Sequence, residues 1–142
     1  MRDRAAHKQY AALPFRRRPD ATIEVMLITS RDTGRWLIPK GWPVPGLSPP
    51  NSAAHEAREE GGLVGRIGER SIGSYEYDKR LPGGSAVHCT VEVFALEVER
   101  QLRTWPERGE RQTQWFALED AAAAVQEPEL RAMIRNLMDR LA

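Results

Sequence analysis

Short runs of apolar and β-branched side chains, separated by turn-forming residues, divide the chain into predicted strands. Thr22–Thr29 carries one such run, and Trp36–Ile38 carries another that stops at Pro39. Val87–Val98 alternates well, with one apolar face and a second face that mixes polar and apolar side chains, which predicts a long strand that is buried at least partly on both faces. Further strand candidates lie at 9–14, 66–80 with a break at Gly73, and 112–116, with a hairpin loop at 82–84.

Three segments show helical periodicity. The first covers about 52–61 and is closed by Gly61 and Gly62, which suit the left-handed conformation that ends many helices. The second is Leu118–Val125, and the third, at about 129–141, places an apolar stripe on one face: Leu130, Met133, Ile134, Leu137 and Leu141. This order of elements predicts an α+β fold in which helices pack against a sheet.

Residues 39–52 separate the early strands from the first helix and contain five prolines and two glycines. Proline lacks the N–H donor and glycine weakens both regular structures, so we expect a loop throughout this segment. Loops of this length inside a domain are usually functional or disordered. The prolines stiffen the segment, which favours a shaped, functional loop.

Composition and charge narrow the classes of function. A chain of 142 residues predicts a single domain, 1–142, and the formal net charge of +1 gives no support for a long nucleic-acid contact. One cysteine, Cys89, excludes an internal disulfide and fits a cytoplasmic location. No apolar run approaches the ~20 residues of a membrane span, and no secretory signal is visible, so we expect no membrane partner.

Three glutamates share one face of the first predicted helix. At ~100° per residue, Glu56, Glu59 and Glu60 span about 100° of the helical wheel. Their mutual repulsion and their position in the last turn both disfavour the helix. The pattern is typical of a solvated acidic face, or of a site for a hard divalent cation such as Mg²⁺ or Mn²⁺. The stiff loop directly before this face favours the metal site.

The stretch Gly41–Leu63 resembles the signature of the Nudix family. The matching positions are Gly41, Glu56, Ala57, Glu59, Glu60, Gly62 and Leu63. The flanking segments resemble the diphosphoinositol polyphosphate phosphohydrolase branch: 28–31, 35–41, 105–107 and 114–116. The resemblance covers about residues 9–124 and implies a mixed β-sheet sandwiched between helices.

Two positions depart from the signature, because Leu47 stands where the family has glutamate and His55 where it has arginine. We hypothesise that these positions pair electrostatically in other members, so that losing both is milder than losing one. The three glutamates remain. A degenerate domain that binds a phosphorylated ligand without turnover therefore stays open, whereas a purely structural domain is disfavoured by the intact spacing.

The resemblance implies a hydrolase that cleaves a diphosphate bond with Mg²⁺ or Mn²⁺ and an activated water. It implies Glu56, Glu60 and the Lys40 carbonyl as metal ligands, and Glu59 as the catalytic base or a further ligand. The implied substrate is a small polyanion, such as a nucleoside-diphosphate-linked compound, a dinucleoside polyphosphate or a diphosphoinositol polyphosphate.

Several other side chains are candidates for contact with such a polyanion, because arginine forks and lysine amines suit phosphate oxygens. Arg31, Lys40 and Arg111 are candidates by position, and Arg16–Arg18 by density. Glu107 is a candidate to approach the metal from a late loop, with a solvent-exposed acid as the alternative. Trp42 is a candidate for base stacking, with simple packing as the alternative.

Overall fold

A computed structural model describes residues 7–142. The elements follow the predicted order: β1 (Lys8–Arg17), β2 (Ile23–Thr29), β3 (Trp36–Leu37), β4 (Lys40–Gly41), α1 (Pro49–Gly61), β5 (Leu63–Ile67), β6 (Gly73–Arg80), β7 (Ala86–Gln101), β8 (Thr113–Ala117), α2 (Leu118–Ala124), α3 (Pro128–Arg135) and α4 (Leu137–Leu141). The α+β prediction is confirmed.

The sheet is mixed and is organised around two long central strands, β1 and β7. These two strands pair in parallel, from Lys8↔Thr90 to Phe15↔Glu97. β1 also pairs with β4 at its start and with β2 at its end, while β7 pairs with β6 and then with β5, all antiparallel. The parallel pair therefore brings the early and late halves of the chain together.

Helices cover both faces of this sheet. One face packs α2, α3 and α4 against a core that includes Leu13, Val25, Val93, Leu130 and Ile134. The other face receives α1 through Ala53 and Ala57, whose small side chains let the helix lie close to β1 and β7. The prediction that β7 is buried on both faces is confirmed, and Cys89 is buried as expected.

The prediction of a continuous loop over 39–52 is wrong at both ends. Lys40 and Gly41 pair with β1, and α1 begins at Pro49 rather than near residue 52. A proline suits the first helical turn because its φ is already helical and its missing N–H would have no partner there. Ser48 caps the helix, since its Oγ accepts a hydrogen bond from the Asn51 N–H at 3.2 Å. The loop proper is residues 42–48.

The C-terminal helix predicted at about 129–141 is two helices. α3 ends before Asn136, whose backbone and side-chain amides both donate to the Ala132 carbonyl at 3.0 Å. Asparagine competes for backbone groups in this way and so interrupts helices. The apolar stripe survives the break, because Leu137 of α4 is fully buried with Leu130 and Ile134. Within residues 7–142 none of the helices has the length and apolar character needed to cross a bilayer.

Candidate active site

A cavity of about 430 Å³ opens where α1, β4, β6 and the loop before β8 meet. Its charged lining is balanced: Asp32, Glu56, Glu60 and Glu107 against Arg31, Lys40, Lys79 and Arg111. Five of the six residues predicted as ligands, base or substrate contacts therefore meet here: Arg31, Lys40, Glu56, Glu60 and Arg111. The cavity joins the predicted acidic face to the candidate cations.

Glu60 is the most deeply buried acid of the cavity, with 7% of its surface exposed. Its Oε1 accepts a hydrogen bond from the Lys40 N–H at 3.2 Å, and its Oε2 lies 3.6 Å from a guanidinium nitrogen of Arg111. Burial raises the pKa of Glu60 to about 8, although Arg111 opposes this rise. The protein alone thus disfavours a negative charge on Glu60.

Glu56 lies beside Glu60, and the absence of a side chain on Gly41 leaves room for the Glu56 carboxylate. A Cβ atom on Gly41 would lie 2.5 Å from the Glu56 Cδ, so any other residue there would displace the carboxylate. Burial raises the pKa of Glu56, while the neighbouring His55 lowers it. The glycine of the sequence signature is therefore explained by close approach of a carboxylate and not by backbone conformation.

Arg111, in the loop before β8, contacts both Glu60 and Glu107. Its Nε is 2.8 Å from Glu107 Oε1, its Nη1 donates to the Thr29 carbonyl at 3.1 Å, and its side chain is 10% exposed. Arg31 is more open, with its Nη1 3.0 Å from Glu110 and 3.9 Å from Glu107. Both line the cavity, but Arg111 is largely occupied by the protein's own acids.

Lys40 contributes its side chain to the opposite wall. Its Nζ lies 4.8 Å from the centre of the Tyr77 ring, and the Tyr77 hydroxyl donates to Oε1 of the buried Gln9 at 2.6 Å. Burial lowers the pKa of the Lys40 amine to about 8, an effect that Glu60 opposes. Its backbone N–H serves Glu60, and the role of its carbonyl stays a prediction.

Glu59 is half-buried and does not line the cavity. Its carbonyl accepts a hydrogen bond from the Glu107 N–H at 3.1 Å, which fastens the late loop to α1. Glu107 does line the cavity, which favours the first of the two readings open for it in the sequence. The role of Glu59 as base stays a prediction.

Three cavity residues, Gln9, Tyr77 and Lys79, were missed in the sequence. Tyr75, Tyr77 and Lys79 alternate along β6 and so share one face, which was the available signal. No local sequence pattern links that face to the Gly41–Leu63 signature, because the link is made by pairing of β6 with β7 and of β7 with β1. Conversely, Arg16–Arg18 do not line the cavity, and their guanidinium groups pair with Glu24 and Glu97.

The family model described as NUDIX domain matches residues 7–137. The chain belongs to the NUDIX family. Among solved structures, the C. elegans Ap4A hydrolase superposes on this NUDIX chain with a TM-score of 0.66, covering 95% of this chain and 98% of that one at 20% identity. That likeness confirms the mixed sheet between helices.

Curated relatives of this NUDIX chain include diphosphoinositol polyphosphate phosphohydrolase 3-alpha of Mus musculus, 34% identical over 122 residues. Nudix hydrolase 16, mitochondrial, of Arabidopsis thaliana is 31% identical over 115 residues. These matches cover 84% and 77% of this chain. The chain spans 69% of the mouse relative and 62% of the Arabidopsis one. The resemblance to the diphosphoinositol polyphosphate phosphohydrolase branch is confirmed.

NUDIX hydrolases generally need divalent metal ions. Within residues 7–142 no three carboxylate, imidazole or thiol side chains are arranged to enclose an ion by themselves. Mg²⁺ typically takes one or two carboxylates and completes its shell with water and substrate phosphate. Two adjoining acids whose pKa values are raised by burial, Glu56 and Glu60, fit that donor set.

Proposed function

We propose that this NUDIX domain is a metal-dependent pyrophosphohydrolase acting on a diphosphate bond of a small polyanion. The observation that carries the proposal is the adjoining pair of buried Glu60 and half-buried Glu56, facing a cavity whose other walls supply Arg31, Lys40 and Lys79. A pair of acids is costly to bury without a cation, and a substrate with phosphate groups needs the positive wall. The proposal includes a cytoplasmic location, which rests on the single buried Cys89.

Glu56 and Glu60 would hold Mg²⁺ or Mn²⁺, with the Lys40 carbonyl as a further ligand. When bound, the ion supplies charge neutralisation to the phosphate oxygens and lowers the pKa of a coordinated water. Hydrolysis adds the water oxygen to phosphorus and breaks the bond from phosphorus to the bridging oxygen. That bridging oxygen leaves on the second phosphate.

The water must give up a proton to a base near the cavity. We propose Glu59 for this role, or as a further ligand, on its position in the signature. Glu107 is the competing candidate, because its side chain lines the cavity and that of Glu59 does not. Glu59→Gln and Glu107→Gln separate them: the base variant loses kcat with a shifted acid limb of the pH–rate profile, whereas the other variant keeps that limb.

The chain's own cations orient the substrate. Arg31 is about half exposed, with 55% of its side chain accessible, and presents its guanidinium at the open side of the cavity. Lys40 supplies an amine that packs over the ring of Tyr77. Arg111 acts closer to the acids, where its charge favours the ionised form of Glu60.

A second candidate function rests on Leu47 and His55. Leu47 is 42% exposed in the loop before α1, and His55 adjoins Glu56 on the helix. With these departures from the family signature, the domain would bind a phosphorylated ligand without turnover. The proposed pairing of the two positions in other family members stays a prediction.

The test is product release from ADP-ribose, diadenosine tetraphosphate and a diphosphoinositol polyphosphate, each with Mg²⁺, with Mn²⁺ and with EDTA. We expect turnover of at least one compound with a metal, and loss of about a thousandfold or more in Glu60→Gln. Glu99→Gln, an exposed change on β7, is the matched control. Unchanged turnover in Glu60→Gln would refute the metal assignment. Absent turnover with ligand-induced stabilisation would favour the binding module.

A further inference from the structure

The carboxyl end of α1, the helix that carries the acids of the cavity, is bonded to the segment that follows β7. The last carbonyl groups of a helix have no partner within the helix itself. In this chain the carbonyls of residues 59, 61 and 62 accept hydrogen bonds, in that order, from the Glu107 N–H at 3.1 Å, the Gln101 Nε2 at 2.9 Å and the Leu102 N–H at 2.8 Å. The loop before β8, residues 102–112, is therefore attached to the end of α1.

The side chain of Trp105 packs against this end of the helix, directly over Gly62. A Cβ atom on Gly62 would lie 2.3 Å from Trp105 Cε3 and 2.5 Å from Cδ2, so the indole fills the space that a side chain would need. Gly62 also has a φ of 67°, which is the left-handed conformation that ends α1. Asparagine can adopt such a φ, but its Cβ would collide with the ring. Gly62 therefore meets two separate requirements, and Trp105 imposes the second.

Trp105 is not an ordinary core residue. It belongs to neither of the two hydrophobic cores described within residues 7–142. Its Nε1 is buried and has no hydrogen-bond acceptor in the same part of the chain, although a buried N–H without a partner is costly. The indole therefore contributes through the shape of its ring, and phenylalanine at this position would lose no hydrogen bond.

A tight turn connects Trp105 to Glu107. The Trp105 carbonyl accepts a hydrogen bond from the Arg108 N–H at 3.1 Å, and Pro106 occupies the second position, where β-turns favour proline. Glu107 occupies the third position and lines the cavity, whereas Trp105 does not line it. A shift of the indole ring would therefore move the Glu107 carboxylate relative to the acids of α1.

The other end of the same loop is attached elsewhere. The Arg111 guanidinium donates to the Thr29 carbonyl at 3.1 Å, and the Gln112 N–H donates to the Thr29 Oγ1 at 2.8 Å. These bonds fix the position of Arg111 on β2. Glu107 lies between the two attachments and is nearer along the chain to the one that Trp105 forms on α1.

We propose that Trp105 is a positioning residue of the hydrolase, and that its ring, packed against Gly62, sets the place of the Glu107 carboxylate relative to Glu60 and Arg111. Trp105 acts only through Glu107, because its own side chain does not line the cavity. The proposal rests on the proposed function for the role of the cavity in turnover. It holds whether Glu107 accepts the proton from water or orients Arg111.

A double-mutant cycle tests the proposal with whichever of ADP-ribose, diadenosine tetraphosphate or a diphosphoinositol polyphosphate the wild type hydrolyses. Trp105→Leu should lower kcat about tenfold or more with KM changed less than about threefold, because a displaced group in a site slows the reaction. Trp105→Phe should keep kcat within about threefold of the wild type. In a Glu107→Ala background, Trp105→Leu should lower kcat by less than about twofold, since the group that it positions is already absent.

The matched control for Trp105→Leu is Trp115→Leu, which removes an indole that packs against the hydrophobic core on the α1 side of the sheet. This variant should be less stable than the wild type but should keep its kcat. An equal loss of kcat in Trp115→Leu, an equal effect of Trp105→Leu with and without Glu107, or a Trp105→Phe variant as slow as Trp105→Leu overturns the proposal.

Hydrogen exchange in EDTA separates this proposal from the proposed function, because it needs neither metal nor turnover. The Glu107 amide, bonded to the carbonyl of residue 59, should exchange about tenfold faster or more in Trp105→Leu and at nearly the wild-type rate in Trp105→Phe. Gly62→Asn displaces the ring from the other side of the contact and should give the same faster exchange, which keeps the test decisive if Trp105→Leu does not fold. Unchanged exchange in the folded variants overturns the proposal. Faster exchange in a protein whose wild type hydrolyses none of the compounds leaves the placement of Glu107 standing and refutes the hydrolase.

Discussion

Two sides of the cavity are built in opposite ways: the acidic side formed by Glu56 and Glu60, which we call the floor, and the cationic side that carries Lys79, which we call the wall. Glu56 and Glu60 have short reach, are packed against Gly41 and the Lys40 N–H, and share one rigid helix. Lys79 has a longer side chain near the end of β6, with no carboxylate within ion-pair distance among residues 7–142. The difference indicates that the floor is organised for one chemistry, whereas the wall is free to match a particular substrate.

The strongest way to break the floor without unfolding it is Gly41→Ala. The three heavy atoms nearest to the added methyl group would be those of the Glu56 carboxylate, the first at 2.5 Å, so the fold can accommodate it by moving that carboxylate. A displacement of about 1 Å at a catalytic group costs on the order of a hundredfold in rate. We therefore expect kcat to fall about a hundredfold or more with an almost unchanged melting temperature.

Gly68→Ala is the matched control for that change. Its new Cβ would lie 3.4 Å from the Ala95 carbonyl, which is an ordinary contact far from the cavity. Steady-state kinetics and thermal unfolding on both variants check the expectation. If Gly41→Ala retains full kcat, close approach of Glu56 to the strand is not required for the reaction.

The sequence predicts this floor well, because the residues that form it lie close together along the chain. Glu56, Glu59 and Glu60 share a helix, so their spacing alone places them on one face, and the glycine precedes them by a fixed distance. Tyr77 and Lys79 reach the same cavity through the pairing of β6 with β7 and of β7 with β1, and Gln9 reaches it through the pairing of β1 with β4. No sequence period records such a pairing. The start of α1 was missed for a different reason, because Pro49 breaks helices inside but begins them well.

Loss of Arg111 tests how strongly the floor depends on its own cation, because Arg111 contacts Glu60 directly. Arg111→Met removes the guanidinium that is 10% exposed and lies 3.6 Å from buried Glu60 and 2.8 Å from Glu107. Removing one partner of a buried pair is costly, and we expect a decrease in the free energy of unfolding of about 2–3 kcal/mol near neutral pH. Arg31→Met, at an exposed pair, should cost about 1 kcal/mol or less. Urea unfolding compares the two, and equal losses would contradict a distinct role for Arg111.

The pH dependence of the metal-free protein tests the burial of Glu60 directly. Its pKa in the folded state is about 8, above the value of 4.5 expected when unfolded, so the folded state holds the proton more tightly. Its contribution to stability is present below pH 4.5 and is lost as the pH rises through about 8. In EDTA near pH 8, Glu60→Gln should therefore be more stable than the wild type by about 1–2 kcal/mol.

Addition of Mg²⁺ supplies the internal control for Glu60. The ion should restore stability to the wild type at high pH but not to Glu60→Gln, because a ligand that binds only the folded state stabilises it. Urea unfolding across the pH range, with and without the metal, measures both effects. A wild type that is more stable than Glu60→Gln at every pH in EDTA would show that Arg111 outweighs burial.

The smallest effect belongs to the outer face of β6, opposite the cavity-facing Tyr77. There the His88 ring lies between Asp78 and Glu76, which both raise its pKa above 6.5. Because the folded value is the higher one, the stabilisation is present below pH 6.5 and is lost as the pH rises through the folded value. His88→Gln should lower the melting temperature by about a degree under mildly acidic conditions and by less under alkaline ones. The group is exposed, so about 1 M NaCl should screen most of this difference. A deficit that is the same at every pH would instead mean that His88 contributes through packing and not through its charge.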